Sequence, residues 1–194
     1  ILLFDIGHTT TYQEYYFDNL YGPEFDDQCD GLTINPSVKF ADWDCNWNLG
    51  FCPSGTPCAS FDYMSGWLNQ VYNPESSTIN TSKYSGEYTR NPDSNGEDVL
   101  IGYFTNGALD LNTNMYFNFK IYGPPRPIYL SLQDDDKNEI YAFNSALTAN
   151  NQWQQFSVDL SSVASQSITR FVMFIDQAVV NWDTYFLDDF NLSS

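Results

Sequence analysis

The sequence has few basic residues, and this shortage excludes several classes of partner. Seven Lys and Arg stand against 25 Asp and Glu, which gives a formal net charge of −18 at pH 7. A surface this negative repels phosphate backbones and anionic lipids, so neither nucleic acid nor a membrane is an expected partner. Acidic polysaccharides are disfavoured for the same reason, whereas neutral glycans and divalent cations remain.

Long apolar runs are also missing. One of the longest, residues 171–175, is far too short to span a bilayer. No signal peptide is visible and the chain starts at Ile1 without Met, so we expect a mature or excised segment. Two glycosylation sequons begin at Asn80 and Asn191, and they matter only in a host that uses them.

Cysteine is confined to one short segment. Its four members are Cys29, Cys45, Cys52 and Cys58. An even number of clustered cysteines in a loop-like region predicts two disulfides and an oxidising, extracellular compartment, without fixing the pairing. Zinc is the alternative, but the spacing contains no C-x-x-C pair and His8, the single histidine, is distant in sequence.

Aromatic residues are abundant, and they occur in short alternating runs. They make up 18% of the chain, which together with many turn residues favours β structure over helix. We expect one domain over residues 1–194, an antiparallel β-sandwich of jelly-roll type, with a disulfide-stapled loop insertion over 22–66. The predicted strands cover 2–6, 12–17, 81–90, 98–104, 115–122, 128–133, 139–143, 152–160, 168–176 and 184–192.

Several segments from residue 72 onward carry a family resemblance: 72–75, 79–82, 86–90, 118–124, 128–132, 153–159, 174–176 and 185–190. They resemble jelly-roll modules that accompany polysaccharide-degrading enzymes in secreted proteins of Bacteroidota. Such modules belong to the broad carbohydrate-binding, galactose-binding-like class of β-sandwich. The resemblance implies the same fold and non-covalent sugar binding, and the segment 22–66 departs from it.

The resemblance also implies a structural calcium ion. In such modules an aspartate at the position of Asp188 or Asp189, with groups from the first strand, holds Ca²⁺; the first strand here offers Asp5. Calcium takes six to eight oxygen ligands, and a buried carboxylate needs either a cation or hydrogen-bond donors. The alternative is a pair of solvated aspartates at a sheet edge.

Sugar binding by such modules relies on aromatic faces that stack against a pyranose. Trp43 and Trp47, in the polar insertion, are the first candidates for exposed rings, and Trp67 and Trp182, near turns, come next. Trp153 lies within a predicted strand and is expected to pack in the core. For each indole, packing remains an alternative to ligand contact.

Catalysis is not expected. The sequence has no G-x-S-x-G elbow, and Cys29 stands where the glycosidase pattern E-x-D-x-x-E, begun by Glu24, needs its second glutamate. We therefore expect a non-catalytic module that binds a neutral polysaccharide and concentrates an attached enzyme domain or a cell on it. Two alternatives stay open: a self-associating structural subunit of an extracellular filament, surface layer or adhesin, and a glycosidase with carboxylates from separate strands.

Overall fold

The computed structural model describes residues 39–41, 43–44, 59–63, 66–91, 99–104, 108–177 and 179–194. These residues form two antiparallel β-sheets packed as a sandwich, so the predicted all-β fold is confirmed. The helical structure in these ranges is one short 3₁₀ turn, Ser161–Val163. No helix within them has the length and apolar character needed to cross a membrane.

Eight of the eleven described strands correspond to predicted strands. In sequence the eleven are β1 (Lys39–Ala41), β2 (Ala59–Tyr63), β3 (Trp67–Tyr72), β4 (Tyr84–Thr89), β5 (Leu100–Phe104), β6 (Tyr116–Gly123), β7 (Pro127–Gln133), β8 (Glu139–Ala146), β9 (Gln152–Asp159), β10 (Arg170–Ile175) and β11 (Thr184–Ser193). Strands β4 to β11 are the predicted ones, whereas β1, β2 and β3 were not predicted. Sheet 1 has the order β3-β4-β11-β6-β9, with β1 also paired to β11. Sheet 2 has the order β2-β5-β10-β7-β8.

Strand β11 is the centre of sheet 1. Its first half pairs with β4, its second half pairs with β1, and β6 runs along its other side. The register with β6 shifts between Asp188 and Asn191, and Asp189 there has a φ of 50°. This bulge changes which residues of β11 face the interior, so Phe190 and Leu192 follow Tyr185 and Leu187 into the core.

The space between the sheets is filled by aromatic rings. Phe117 and Phe119 of β6, Phe190 of β11 and Phe171 of β10 are fully buried. The rings of Phe171 and Phe190 stack across the two sheets, with centroids 5.4 Å apart and planes 8° apart. Alternation, interrupted in β11 by the bulge at Asp189, places these rings inward, because successive side chains of a strand point to opposite faces.

The predicted insertion over 22–66 is wrong in part. Strand β1 pairs with β11 and strand β2 pairs with β5, so two segments of that region belong to the sheets themselves. Strand β1 forms its backbone hydrogen bonds with the central strand β11, and strand β2 forms its own with β5. Cys29, Cys45, Cys52 and Cys58 lie outside the described residues, and the predicted disulfides stay a prediction.

Trp43 lies in the core rather than on the surface. Its side chain is 1% exposed, its ring meets Phe190 edge-on, and its backbone carbonyl accepts a hydrogen bond from Gln70. The ring packs over Gly86, where an added Cβ would lie 2.3 Å from Trp43 Cε2. The expectation of an exposed ring at this position is therefore not met, because the missing side chain of Gly86 provides space for it.

Candidate functional site

Two exposed indole rings stack on each other at one end of sheet 1. Trp67 begins β3 and Trp182 lies two residues before β11; their centroids are 5.7 Å apart and their planes differ by 8°. The side chains are 46% and 59% exposed, which is unusual for residues of this size. We call these two residues the indole pair.

The sheet register explains why Trp67 faces solvent. It alternates with Leu68, which is buried in the core, so Trp67 points to the outer face. Trp67 lies opposite Thr89, and Thr89 lies opposite Thr184, whose hydroxyl is 3.1 Å from that of Thr89. The indole pair is therefore bordered by a row of hydroxyl groups on the same face.

Polar and apolar neighbours continue on either side of the indole pair. In the next row of the outer face, Asn69 lies opposite Glu87. On the other side, Val179 and Val180 are 44% and 58% exposed. The apolar face of a sugar can stack on such rings while amide, carboxylate and hydroxyl groups bind its hydroxyls.

Trp182 is carried by a segment that Arg90 holds in place. The Arg90 guanidinium is buried and donates from Nη1 to Asn181 Oδ1 at 3.1 Å and from Nη2 to the Val179 carbonyl at 2.8 Å. The backbone N–H of Arg90 donates to the Asp183 carbonyl at 3.1 Å. The side chain and backbone of one residue thus fix both ends of segment 179–183, and the indole is presented on a rigid support.

Two aspartates complete this network. Asp176 lies 3.9 Å from Arg90 and 3.0 Å from Arg126, and the Arg126 Nε also lies 3.0 Å from Asp183. The hydrogen bond with Asp183 raises the pKa of Arg126. Burial, with Asp183 and Asp176 nearby, raises the pKa of the Tyr185 hydroxyl. Both residues therefore keep one charge state through physiological pH, and the support of Trp182 does not change with it.

Another part of the outer face of sheet 1 is covered by residues 73–83. Trp153 Nε1 donates to Asn73 Oδ1 at 3.0 Å, and Asn80 Nδ2 donates to Asp188 Oδ2 at 2.7 Å. Trp153 is buried as predicted, although it lies under this segment and not between the sheets. Asn80 is fully buried and its amide nitrogen is engaged, so the sequon at this position is not accessible to a glycan in this fold.

Asp188 and Asp189 have different surroundings. Asp188 is fully buried and accepts from Asn80 and from the backbone N–H of Asp189, at 2.7 and 2.8 Å. Burial, with the charge of Asp189 next, raises the pKa of Asp188 to about 7. Asp189 is half-buried and forms an ion pair with Lys120. Asp188 is thus the buried member of the pair, on the outer face of sheet 1 under residues 73–83.

The described residues do not by themselves fit a calcium ion. Nitrogen donors hold the oxygens of Asp188, and an ammonium pairs with Asp189, whereas calcium requires six to eight oxygens. No group of three or more His, Cys, Asp or Glu able to hold a metal occurs in the described ranges. Asp5 and Trp47 lie outside those ranges, so the calcium site and the role of Trp47 stay predictions.

A polar cleft of about 300 Å³ lies beside Asp189 on the same face. Asn118 donates to Asn191 Oδ1 at 3.1 Å and to Ser193 Oγ at 3.0 Å, and Asn191 donates to the Asp189 carbonyl at 2.7 Å. The amide of Asn191, the second sequon, is thus engaged within the cleft. These groups satisfy one another, and they fix the second half of β11 against β6.

No family model matches the sequence, and no curated protein matches it. Among solved structures the chain is similar to an exo-β-agarase, with a TM-score of 0.58 and 9% identity over 80% of this chain and 25% of that one. It is also similar to an arabinose-bound α-L-arabinofuranosidase, with a TM-score of 0.52 and 13% identity over 81% of this chain and 26% of that one. The chain thus spans about a quarter of each enzyme.

A mutant of a family 29 carbohydrate-binding module matches with a TM-score of 0.48 and 13% identity, over 80% of this chain and 90% of that one. At these identities the two matches with TM-scores above 0.5 define a shared fold and nothing more. The β-sandwich predicted from sequence is therefore confirmed, and sugar binding stays a prediction.

Sequence reasoning named Trp67 and Trp182 as candidates but predicted neither their stacking nor the residues that support it. Arg90 ends a predicted strand and Asp176 ends another, and nothing in their local sequence says that they meet. One available signal was the scarcity of basic residues: an arginine flanked by apolar strands in a chain with 7 Lys and Arg has many carboxylates to pair with. Burial of such a residue is expected only when it is paired.

Proposed function

We propose that this protein is a non-catalytic carbohydrate-binding module of an extracellular protein, and that it binds a neutral polysaccharide on the indole pair. The single observation that carries the proposal is the stacking of Trp67 on Trp182 in solvent, with 46% and 59% of each side chain exposed. Leaving two indoles exposed forgoes apolar burial worth about 1.5–3 kcal/mol for a large side chain, which a ligand would recover.

The chemistry around the pair favours a neutral sugar. Thr89, Thr184 and Asn69 are uncharged, and Glu87 accepts hydrogen bonds from hydroxyl groups. A carboxylated or sulfated sugar would approach Glu87 and Asp183 unfavourably. Binding at one such open surface is expected to be weak, because it buries little area and orders a flexible polymer.

Affinity electrophoresis in gels containing β-glucan, xylan, mannan or galactan tests the proposal. We expect at least one neutral polymer to retard the protein, and we expect Trp67→Ala or Trp182→Ala to abolish the retardation. Tyr72→Ala is the matched control, because Tyr72 is 70% exposed but stacks on Tyr84 at the other end of β3. Retardation by none of the polymers, or equal loss in the control, would contradict the proposal.

The same samples address the alternatives. A module that serves an attached enzyme domain should be monomeric in size-exclusion chromatography, whereas a filament or adhesin subunit should assemble. A glycosidase should release reducing sugar from the polymer that it binds. Assembly without binding would favour the structural role, and release of sugar would show catalysis.

Calcium belongs to the proposal as well. A Ca²⁺ ion that joins Asp188 and Asp189 to Asp5 would offset the burial and like charge that raise the pKa of Asp188. An ion present at 100 times its dissociation constant stabilises the fold by about 2.7 kcal/mol. We expect EDTA to lower the melting temperature of the wild type but not of Asp188→Asn. An unchanged wild-type melting temperature would show that nitrogen donors alone hold these carboxylates.

A further inference from the structure

A second cleft opens on sheet 2, at the opposite side of the sandwich from the indole pair. Its volume is about 520 Å³. Arg170 and Tyr103 lie opposite each other on β10 and β5, and they alternate with core residues, so both face outward. The lining residues are Tyr103, Phe104, Ala108, Asp135, Lys137, Ser167, Thr169 and Arg170.

The cleft contains two cations without a carboxylate partner. Arg90, Lys120 and Arg126 are each paired with an aspartate. Arg170 and Lys137 form no ion pair within the described part of the chain. In a protein with a net charge of −18, these two cations form a local positive patch that an anionic group can approach.

The Arg170 guanidinium has hydrogen-bonding capacity to spare. Its Nη2 donates to Gln133 Oε1, which orients the group. Its Nε is buried and has no hydrogen-bond partner among the described residues. A buried donor without a partner costs free energy. The planar guanidinium is suited to a bidentate contact with an oxyanion.

The other walls suit a sugar ring. Tyr103 is 37% exposed beside Arg170 and offers an aromatic face. Ser167 and Thr169 add hydroxyl groups to the lining. An aromatic ring, hydroxyls and a guanidinium together can stack a pyranose and bind an acidic substituent on it.

Two aspartates, Asp134 and Asp135, lie near these cations, and their negative charge opposes the binding of an anion. Asp134 accepts from the backbone N–H and the Nδ2 of Asn138, both at 2.9 Å, so its oxygens are engaged in the turn. The hydrogen bond from Asn138 lowers the pKa of Asp134, with a smaller contribution from Arg170. Asp135 remains in the lining and can accept a sugar hydroxyl.

We propose that this cleft is a second sugar site, for a unit that carries a carboxylate or sulfate group. Arg170 and Lys137 bind the acidic group, Tyr103 stacks on the ring, and Asp135 and Thr169 bind hydroxyls. The proposal rests on the proposed function in that its ligand is a glycan, but the site lies on the other sheet and shares no residue with the indole pair. The net charge repels acidic polymers at long range, but physiological salt screens charges that lie more than about 8 Å apart. At the cleft itself, attraction by the nearby cations therefore dominates.

Isothermal titration at physiological salt tests the cleft with three short probes. They are a galacturonic acid tetramer, a sulfated galactose tetramer and cellotetraose. We expect one of the two acidic probes to bind, with affinity lowered about tenfold or more by Lys137→Asn, Arg170→Gln or Tyr103→Ala, because a charge-assisted hydrogen bond contributes at least one such factor. The acidic probe that binds identifies the substituent.

The controls separate this site from the indole pair. Lys83→Gln removes a cation that lies over the Tyr84 ring, on sheet 1, and should leave acidic binding unchanged. Trp67→Ala should likewise leave it unchanged, so failure of the proposed function would not remove this result. Binding of neither acidic probe, or binding that Lys137→Asn and Arg170→Gln leave intact, would overturn the proposal. Lys137→Asn keeps the test valid if Arg170→Gln unfolds, because Asn tolerates the φ of 70° found at Lys137.

Discussion

The inner face of sheet 1 is apolar along its length, whereas its outer face divides into a covered part and an open part. Inside, Phe117, Phe119 and Leu187 pack against sheet 2. Outside, Asp188 is fully buried under residues 73–83, while Trp67 is 46% exposed at the end of the sheet. On the inner face, residues are buried because their side chains are apolar. On the outer face, a residue is buried only where residues 73–83 cover it.

The largest expected effect concerns the covered part of the outer face. Burial raises the pKa of Asp188 to about 7 in the folded protein, against about 3.9 when unfolded. The folded state then binds the proton more tightly, so this contribution is complete below pH 4 and is lost as the pH rises through 7. The full shift corresponds to about 4 kcal/mol, at about 1.4 kcal/mol per unit.

Chemical denaturation at pH 4 to 8 in the presence of EDTA, which removes any bound Ca²⁺, measures this contribution as a difference between wild type and Asp188→Asn. The free energy of unfolding of wild type should fall with pH relative to that of Asp188→Asn, which cannot ionise. Asp188→Asn is itself destabilised at every pH. One carboxylate oxygen, which accepts a hydrogen bond from Asn80 or Asp189, is replaced by an NH₂ group that faces that donor. Parallel pH profiles for the two proteins would show that Asp188 has an ordinary pKa.

A second prediction concerns the support of the open part. Arg90→Leu leaves Asp176 partly uncompensated and frees the segment that carries Trp182. Removing one member of a buried ion pair costs about 3–5 kcal/mol. The expected loss is at the lower end of this range, because Arg126 still pairs with Asp176. Urea denaturation should show about 3 kcal/mol for Arg90→Leu. Arg126→Leu is the control, and it should cost less stability because the Arg126 side chain is 38% exposed. An equal loss of stability in this variant would refute the central role of Arg90.

A third prediction tests the inner face. The methyl group of Gly86→Ala would lie 2.3 Å from Trp43 Cε2 in a core with no space to spare. Overpacking costs about 1–3 kcal/mol, which calorimetry detects as a lower melting temperature. Ser85→Ala on the outer face is the matched control and should be close to neutral, because the buried Ser85 hydroxyl has no hydrogen-bond partner. Equal effects of the two would mean that Trp43 does not pack over Gly86.

Most of the fold was predictable because apolar and polar residues alternate along most of the strands. Residues 116–123 place every second side chain inward, and residues 184–193 do so on either side of the bulge at Asp189. The sequence predicted both strands within two residues of their ends. The sequence did not predict β1, β2 or β3. Strand β1 has three residues, which is too few to show a period. Strand β2 does alternate apolar and polar residues, but it lies in the Cys- and Pro-rich segment 22–66, which was predicted to be an insertion.

The site was predictable only in part, because tryptophans with similar neighbours in the sequence differ in whether the fold buries or exposes them. Trp43 and Trp67 both lie near glycine and polar residues, yet Trp43 fills the space over Gly86 and Trp67 stays in solvent. The difference comes from a glycine more than 40 positions along the chain from Trp43. Likewise, the contact of Asn80 with Asp188 joins residues 108 positions apart, which composition and spacing do not encode.

The smallest expected effect is on stability at the indole pair. Each ring already exposes about half of its surface, so Trp67→Ala or Trp182→Ala removes a stacking contact and little buried area. Surface changes of this kind stay within about 0.5 kcal/mol, and a stacked pair adds about as much again. We therefore expect melting temperatures near that of the wild type together with loss of binding to a neutral polymer. A destabilisation as large as that of Gly86→Ala would show that the rings serve the fold, and the exposed indoles would then no longer support a ligand site.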